Sequence, residues 1–266
     1  MSNIADYKGG KGMNILFTVC GRAGSKGFKN KNLKQLNGIP LVYYTLSAIR
    51  IYINKHPENS VKVALNTDSK ELQKLVASQH LVDNVIFIER REELAGDIVA
   101  KVEVIKDTYL QCKEDGDFDV VVDVDITSPM RRVSDIESAI GKLLADQNCD
   151  LVCSVVPSRR SPYFNMVEKR DDYYRKVCPS MYTARQQVPA SFELNASIYA
   201  YRSEFLSGKI DKTILDYNCD IIIMPDYLVL DIDSEEDFEL MEQLFGYFSE
   251  RDEGLQEIVE TAKSYC

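Results

Sequence analysis

Short apolar runs alternate with helix-period segments through the first two thirds of the chain, and this rhythm restricts the fold more than any other feature. Asn14–Cys20 (NILFTVC) has the length and content of a buried strand, as do Val61–Asn66, Val85–Glu89, Phe118–Asp125 (FDVVVDVD) and Leu151–Val156. Between them the spacing predicts helices over Leu41–Ile53, Ser69–Ser78, Val99–Cys112 and Ser134–Ala145. Pro40, after the Asn37-Gly38 turn, suits a first helical residue, and Ser134 with Glu137 three residues on suits a capped start. Strand–helix alternation of this kind means an α/β fold: a mostly parallel twisted sheet with helices on both faces, Rossmann-like in outline. Such sheets bind ligands beyond the carboxyl ends of their strands, so motifs directly after strands carry the most weight.

From Pro157 to about Tyr201 the rhythm breaks. Alternation at Phe164–Glu168 and Ala196–Tyr201 predicts strands, some of them antiparallel, followed by short strands at Asp220–Met224 and Leu228–Ile232. A long C-terminal helix is expected from near Ser234, with Glu235, Glu236 and Asp237 in its first turn. The organisation read from this is one domain over 13–266 with a projecting insertion at 158–190. Residues 1–12 (MSNIADYKGGKG) read as a disordered leader or a tag.

Composition narrows the partners. A formal charge of −10 argues against a general nucleic-acid surface. No apolar run approaches the roughly 18 residues of a membrane span, and the N-terminus lacks a signal-peptide core. Seven scattered cysteines with two histidines and no C-x-x-C pair suggest reduced thiols in a cytoplasmic protein, not a zinc site.

Three clusters carry chemistry. Directly after the first strand comes Gly21-Arg22-Ala23-Gly24-Ser25-Lys26-Gly27-Phe28-Lys29-Asn30-Lys31-Asn32. Its glycines, Gly24 among them, let backbone N–H groups approach an anion, and its four cations suit a polyphosphate. The loop is neither a Walker A motif nor a dinucleotide fingerprint. Next, Asp123 and Asp125 point to one side at the end of the central strand, ahead of Thr127. Asp123 lies deeper, where it either serves the crevice or caps neighbouring backbone. Last, Asp231 and Asp233 share a face before the C-terminal helix, and such oxygen-only ligands suit Mg²⁺ with substrate phosphates. Asp233 or Ser234 also suits the helix cap. A polyphosphate loop with paired carboxylates implies nucleotidyl transfer. Spacing alone names neither the base nor the acceptor.

In this order the clusters resemble the CMP-sialic acid synthetases, or acylneuraminate cytidylyltransferases. The resemblance rests on Gly21–Gly27 with Lys31-Asn32, Asn66-Thr67-Asp68, Arg90 with Leu94-Ala95-Gly96-Asp97, and Thr127-Ser128-Pro129-Met130-Arg131. It continues through Arg185-Gln186-Gln187, Asn195-Ala196-Ser197-Ile198-Tyr199 and Asp231-Ile232-Asp233. It implies a nucleotide-diphospho-sugar transferase-like fold that moves CMP from CTP to the anomeric hydroxyl of a nine-carbon 2-keto sugar acid. Arg22, Gly24, Ser25, Lys26 and Lys31 would hold the nucleotide phosphates, and Asn32 and Arg90 would read the cytosine. Arg22 and Lys26 would work with Asp231 and Asp233, which would carry Mg²⁺. Arg185, Gln186 and Asn195 would face the sugar, and 158–190 would form a homodimer contact reaching the partner's site.

Three departures bear on the sugar. Asp125-Ile126 stands where the sialic-acid enzymes carry Gln-Pro, Ile98-Val99-Ala100-Lys101 where they carry serines, and Glu193 where an arginine is common. Val124-Asp125, Arg159–Asn165 and Leu194–Ser197 are more similar to the branch activating legionaminic acid. Asp125, Thr127, Tyr163, Phe164 and Glu193 therefore join the expected sugar-facing set. The alternatives are the same reaction on N-acetylneuraminic acid or another keto sugar acid, and a non-catalytic nucleotide-binding homologue.

Overall fold

Alternating side chains decide which residues of each strand meet which layer of helices. In the computed structural model, which describes residues 12–266 apart from 25, 26, 97 and 115, the first strand is β1 (Asn14–Cys20). Ile15, Phe17 and Val19 enter the larger of two cores, and Leu16 enters the smaller one on the opposite face. The expected leader falls almost wholly outside the described residues.

The chain continues through a short hairpin, β2 (Gln35–Leu36) and β3 (Ile39–Pro40), into α1 (Leu41–Lys55), β4 (Ser60–Thr67), α2 (Lys70–Ser78) and β5 (Ile86–Glu89). Then come α3 (Lys101–Lys113), β6 (Val120–Val124), α4 (Val133–Ala145) and β7 (Leu151–Pro157). A two-stranded ribbon, β8 (Val167–Arg170) and β9 (Tyr173–Lys176), precedes the long β10 (Phe192–Arg202). The rest is α5 (Ser203–Ser207), β11 (Cys219–Ile223), α6 (Glu235–Ser249) and α7 (Glu253–Lys263).

Seven strands form one sheet in the order β11-β7-β10-β6-β1-β4-β5. All its pairings are parallel except those of β10, which runs antiparallel to both β6 and β7. Residues of α1, α2, α4, α6 and α7 build the larger core, while α3 and α5 cover the other face. On β6, Val120, Val122 and Val124 enter the larger core and Val121 lies under α3. The expected mostly parallel sheet with helices on both faces is what the chain forms. Among the described residues no helix is long and apolar enough to cross a membrane.

Five local expectations are corrected. Pro40 belongs to β3 and caps α1, which starts one residue later at Leu41. The helix expected at Ser134 begins at Val133, because the Asp135 carboxylate accepts the Arg132 backbone N–H at 2.9 Å and fixes the start there. Leu228–Ile232 forms no strand: Asp226–Leu228 is a 3-10 turn, and the chain then crosses the site without a ladder. The strand expected at Phe164–Glu168 is displaced to Val167–Arg170, paired with Tyr173–Lys176 around a turn with Asp171 at φ 55°. The long C-terminal helix is two helices, since Asp252 accepts the N–H groups of Gly254 and Leu255 and starts a second one.

Candidate active site

The carboxyl ends of β1, β6 and β4 meet at one rim of the sheet, and the loop after β1 is stitched across it. Gly21 N–H donates to the Asn66 carbonyl at 3.1 Å and Ala23 N–H to Asp68 Oδ1 at 2.7 Å. Arg22 donates to the Ala95 carbonyl at 3.3 Å, and Asn32 Nδ2 donates back to the Arg22 carbonyl at 3.1 Å. At its far end the loop leans on α6, with Phe28 packed 5.5 Å from Phe238. Gly27 passes so close to the 231–233 segment that a methyl there would sit 2.7 Å from the Asp233 carbonyl oxygen. Lys31 completes the join, donating to the Ile232 carbonyl at 2.8 Å and pairing with Asp233 at 3.0 Å. Ser25 and Lys26 lie outside the described residues; Gly24 is exposed on the loop.

A cavity of about 230 Å³ opens beside this loop, lined by Arg22, Lys31, Asn32, Arg90, Lys101, Asp125 and Thr127 among others. Arg90 follows β5 and is held by Asn66, donating from Nε to its side-chain oxygen at 2.8 Å and to its carbonyl at 3.2 Å. The structure thus brings together six residues that the sequence singled out. It adds Lys101, which the sequence reading noted only as a departure.

The carboxylates divide into two groups. Asp125 is engaged on both oxygens: Oδ2 by Lys101, and Oδ1 by the Thr127 N–H and hydroxyl at 2.8 Å each. Burial alone would raise its pKa, but the ammonium of Lys101 outweighs that and holds the carboxyl well below the usual range. Asp231 is in the opposite condition. Desolvation and then the charge of Asp125 push its pKa up, and the Ser128 hydroxyl donates to it at 3.2 Å. A carboxylate under that strain is a site where a cation would be welcome. Among the described residues no cluster of three or more His, Cys, Asp or Glu could hold a metal by itself. A two-carboxylate site completed by phosphates needs none, so Asp231 with the exposed Asp233 fits a divalent cation.

Arg131 is the largest fully buried side chain and holds the loop after β6 in shape. It donates to Ser197 Oγ and Thr45 Oγ1 at 3.0 Å each and to the carbonyls of Asp125 and Ser128. Burial lowers its pKa to about 10, with the surrounding carboxylates opposing the shift. Its burial was not readable from the motif around it, where it looks like one more surface cation.

The expected sugar-facing residues do not form one group. Asp125 and Thr127 line the cavity already described. Phe164 and Arg185 line a second one of about 210 Å³ at the end of β7, together with Arg159, Arg160 and Phe192. Tyr163 and Gln186 are exposed and line neither cavity. Glu193 accepts the Ser158 hydroxyl at 2.5 Å. Asn195 is corrected outright: it is 1% exposed, donates to the Leu228 carbonyl at 2.9 Å and accepts from Ser154 Oγ at 2.6 Å. Its amide is consumed in bracing β10 against the 224–228 segment, so it is a framework residue.

The chain is 34% identical over 233 residues to post-translational flagellin modification protein B of Campylobacter coli, covering 86% of this chain and 94% of that one. It is 33% identical over 235 residues to the CMP-N,N'-diacetyllegionaminic acid synthase of Campylobacter jejuni, covering 87% and 95%. The solved structure of a CMP:2-keto-3-deoxy-manno-octonic acid synthetase complexed with CTP shares the fold, with a TM-score of 0.63 at 14% identity over 88% of this chain and 99% of that one. A family model described as Cytidylyltransferase matches residues 16–256, and the chain belongs to the cytidylyltransferase family.

Proposed function

We propose that this enzyme transfers CMP from CTP to the anomeric hydroxyl of a nine-carbon 2-keto sugar acid, legionaminic acid or a relative, and releases pyrophosphate. The observation that carries the reading is the join between Lys31 and Asp233, which sets a cation-lined cavity beside a carboxylate pair at the rim. The similarity to a CMP-N,N'-diacetyllegionaminic acid synthase over most of both chains supports the choice of sugar.

In this reading Arg22 and Lys31, with Ser25 and Lys26 of the same loop, hold the triphosphate against the rim. Asn32 and Arg90, both buried and braced, face the base with their remaining donors. Asp231 and Asp233 hold Mg²⁺, which when bound supplies charge neutralisation at the phosphates. The anomeric hydroxyl would attack the α-phosphorus in line, forming one P–O bond as the bond to the pyrophosphate oxygen breaks and losing its proton to solvent. Phe164 and Arg185, in the second cavity, receive the acceptor's tail and carboxylate. A cytoplasmic homodimer contacting through 158–190 belongs to the same proposal. Tyr173, Tyr174 and Met181, 65%, 67% and 95% exposed, are of types favoured at interfaces.

Pyrophosphate release, measured with each nucleoside triphosphate against a panel of nine-carbon keto acids, tests the reading. Release is expected with CTP and to depend on the acid, with a higher kcat/KM for diacetyllegionaminic acid than for N-acetylneuraminic acid. One apolar contact at a deoxy, methyl-ended tail is worth about 1–3 kcal/mol, so preference and not exclusion is expected. Equal or reversed values would remove the legionaminic branch and leave cytidylyl transfer standing. Release with another triphosphate in preference to CTP would remove the nucleotide.

A further inference from the structure

Lys101 is the first residue of α3, where a cation works against the positive end of the helix dipole. What holds it there lies below. Side-chain alternation along β6 puts Val121 and Asp123 on the face that α3 covers, and Asp125 continues the same series. The Lys101 ammonium meets both carboxylates, Asp123 Oδ2 at 2.7 Å and Asp125 Oδ2. Their other oxygens are taken as well: Thr18 donates to Asp123 Oδ1 at 2.8 Å, and Thr127 donates twice to Asp125 Oδ1. Asp123 is fully buried, and a charge there without a partner would be strongly destabilising.

This clamp is not sealed in the core. The Lys101 side chain is 33% exposed and lines the same cavity as Arg22, Lys31 and Arg90. Asp231 is tied to the same loop, because Thr127 donates to Asp125 and the adjacent Ser128 donates to Asp231 at 3.2 Å. Asp123, Asp125 and Asp231 therefore share one neighbourhood in which Lys101 supplies a fixed positive charge before any metal arrives.

We propose that Lys101 is a positioning residue that sets the affinity of the site for its divalent cation, by offsetting one of the two charges of the Asp123–Asp125 pair and so lowering the negative field beside Asp231. The inference rests on the reading that Asp231 and Asp233 hold that cation. Its consequence is a bare site that binds metal weakly, so that the cation arrives with the nucleotide's phosphates.

The test uses Mn²⁺ alone, with the free aquo ion counted by electron paramagnetic resonance over the full chain and no substrate present. Lys101→Met is expected to bind Mn²⁺ about tenfold or more tighter, or to bind one more ion per chain, because a unit charge has been removed at short range. Lys101→Arg keeps the charge and is expected to stay near the unaltered affinity. Lys101→Met binding no tighter overturns the proposal. Should that variant fail to fold, Asp123→Asn reads the same effect with opposite sign: losing one negative charge, which leaves Lys101 fully offsetting Asp125, should weaken Mn²⁺ binding about tenfold, and an unchanged affinity overturns the proposal. Asp231→Asn distinguishes the two levels. If it loses Mn²⁺ while Lys101→Met and Asp123→Asn bind as before, the role of Lys101 is wrong. If it binds as before, the assigned metal pair is wrong, and the proposal falls with it.

Discussion

Asp231→Asn is expected to lose on the order of 100-fold or more in turnover while melting no earlier than the unaltered protein. The two halves have one origin. Asp231 is held where burial and Asp125 both disfavour its charge, so the folded protein alone gains nothing from that carboxylate. An amide removes the repulsion and keeps the shape, which makes a higher melting temperature the expected direction. The same amide is a poor ligand for a hard cation, and the lost charge is felt at the phosphates. Steady-state pyrophosphate release and a calorimetric scan read the halves separately. Full turnover in both Asp231→Asn and Asp233→Asn would remove this pair from the chemistry, and a large fall in melting temperature would make Asp231 a structural residue.

Arg131→Met should have the largest effect on stability. It removes the charged donor shared by four buried acceptors, leaving the carbonyls of Asp125 and Ser128 with only the Thr45 and Ser197 hydroxyls. Losing several buried hydrogen bonds from one charged donor costs on the order of 3–5 kcal/mol. For a chain of this size that is a fall of roughly 6–20 °C in melting temperature. Activity should fall with it, because the loop from Asp125 to Arg131 carries Thr127 and Ser128 into the site. A melting temperature within about 2 °C of the unaltered protein would mean that the surrounding groups find other partners.

The strands were legible because central parallel strands are buried on both faces and read as unbroken apolar runs. The loop after β1 and the Asp123–Asp125 pair were legible for a related reason: each lies at the carboxyl end of a strand whose direction was already known. What escaped depends on contacts between distant parts of the chain. Nothing near Lys101 says that α3 will lie over Asp123 and Asp125, and that register made the residue matter. A cation at a helix start was the one available hint. Arg131 needed Thr45 from α1 and Ser197 from β10 before its burial made sense. Asn195 looked sugar-facing because it is polar and sits in a motif. The register of β10 against β7 shifts between Leu194 and Tyr199, and Ala196 takes φ 56°, an irregularity that composition does not announce. The late strand at Leu228–Ile232 failed likewise, since its apolar content serves the core from an irregular path.

The reversed strand in the sheet has a consequence for how such an enzyme can diversify. Because β10 runs against β7, the chain leaves the sheet at Pro157 and rejoins it at Phe192 on the same rung, with Ser158 N–H donating to the Ser191 carbonyl at 2.9 Å. Everything between hangs from two neighbouring points beside the second cavity. Doubling such an excursion adds only about 0.6 kcal/mol of closure entropy and need not disturb any ladder. The loop after β1, the Lys101 clamp and the 231–233 segment lie outside it. Length and sequence can therefore drift in one tethered segment while the rest of the rim is inherited intact, and under the proposed function that segment is the one that meets the acceptor.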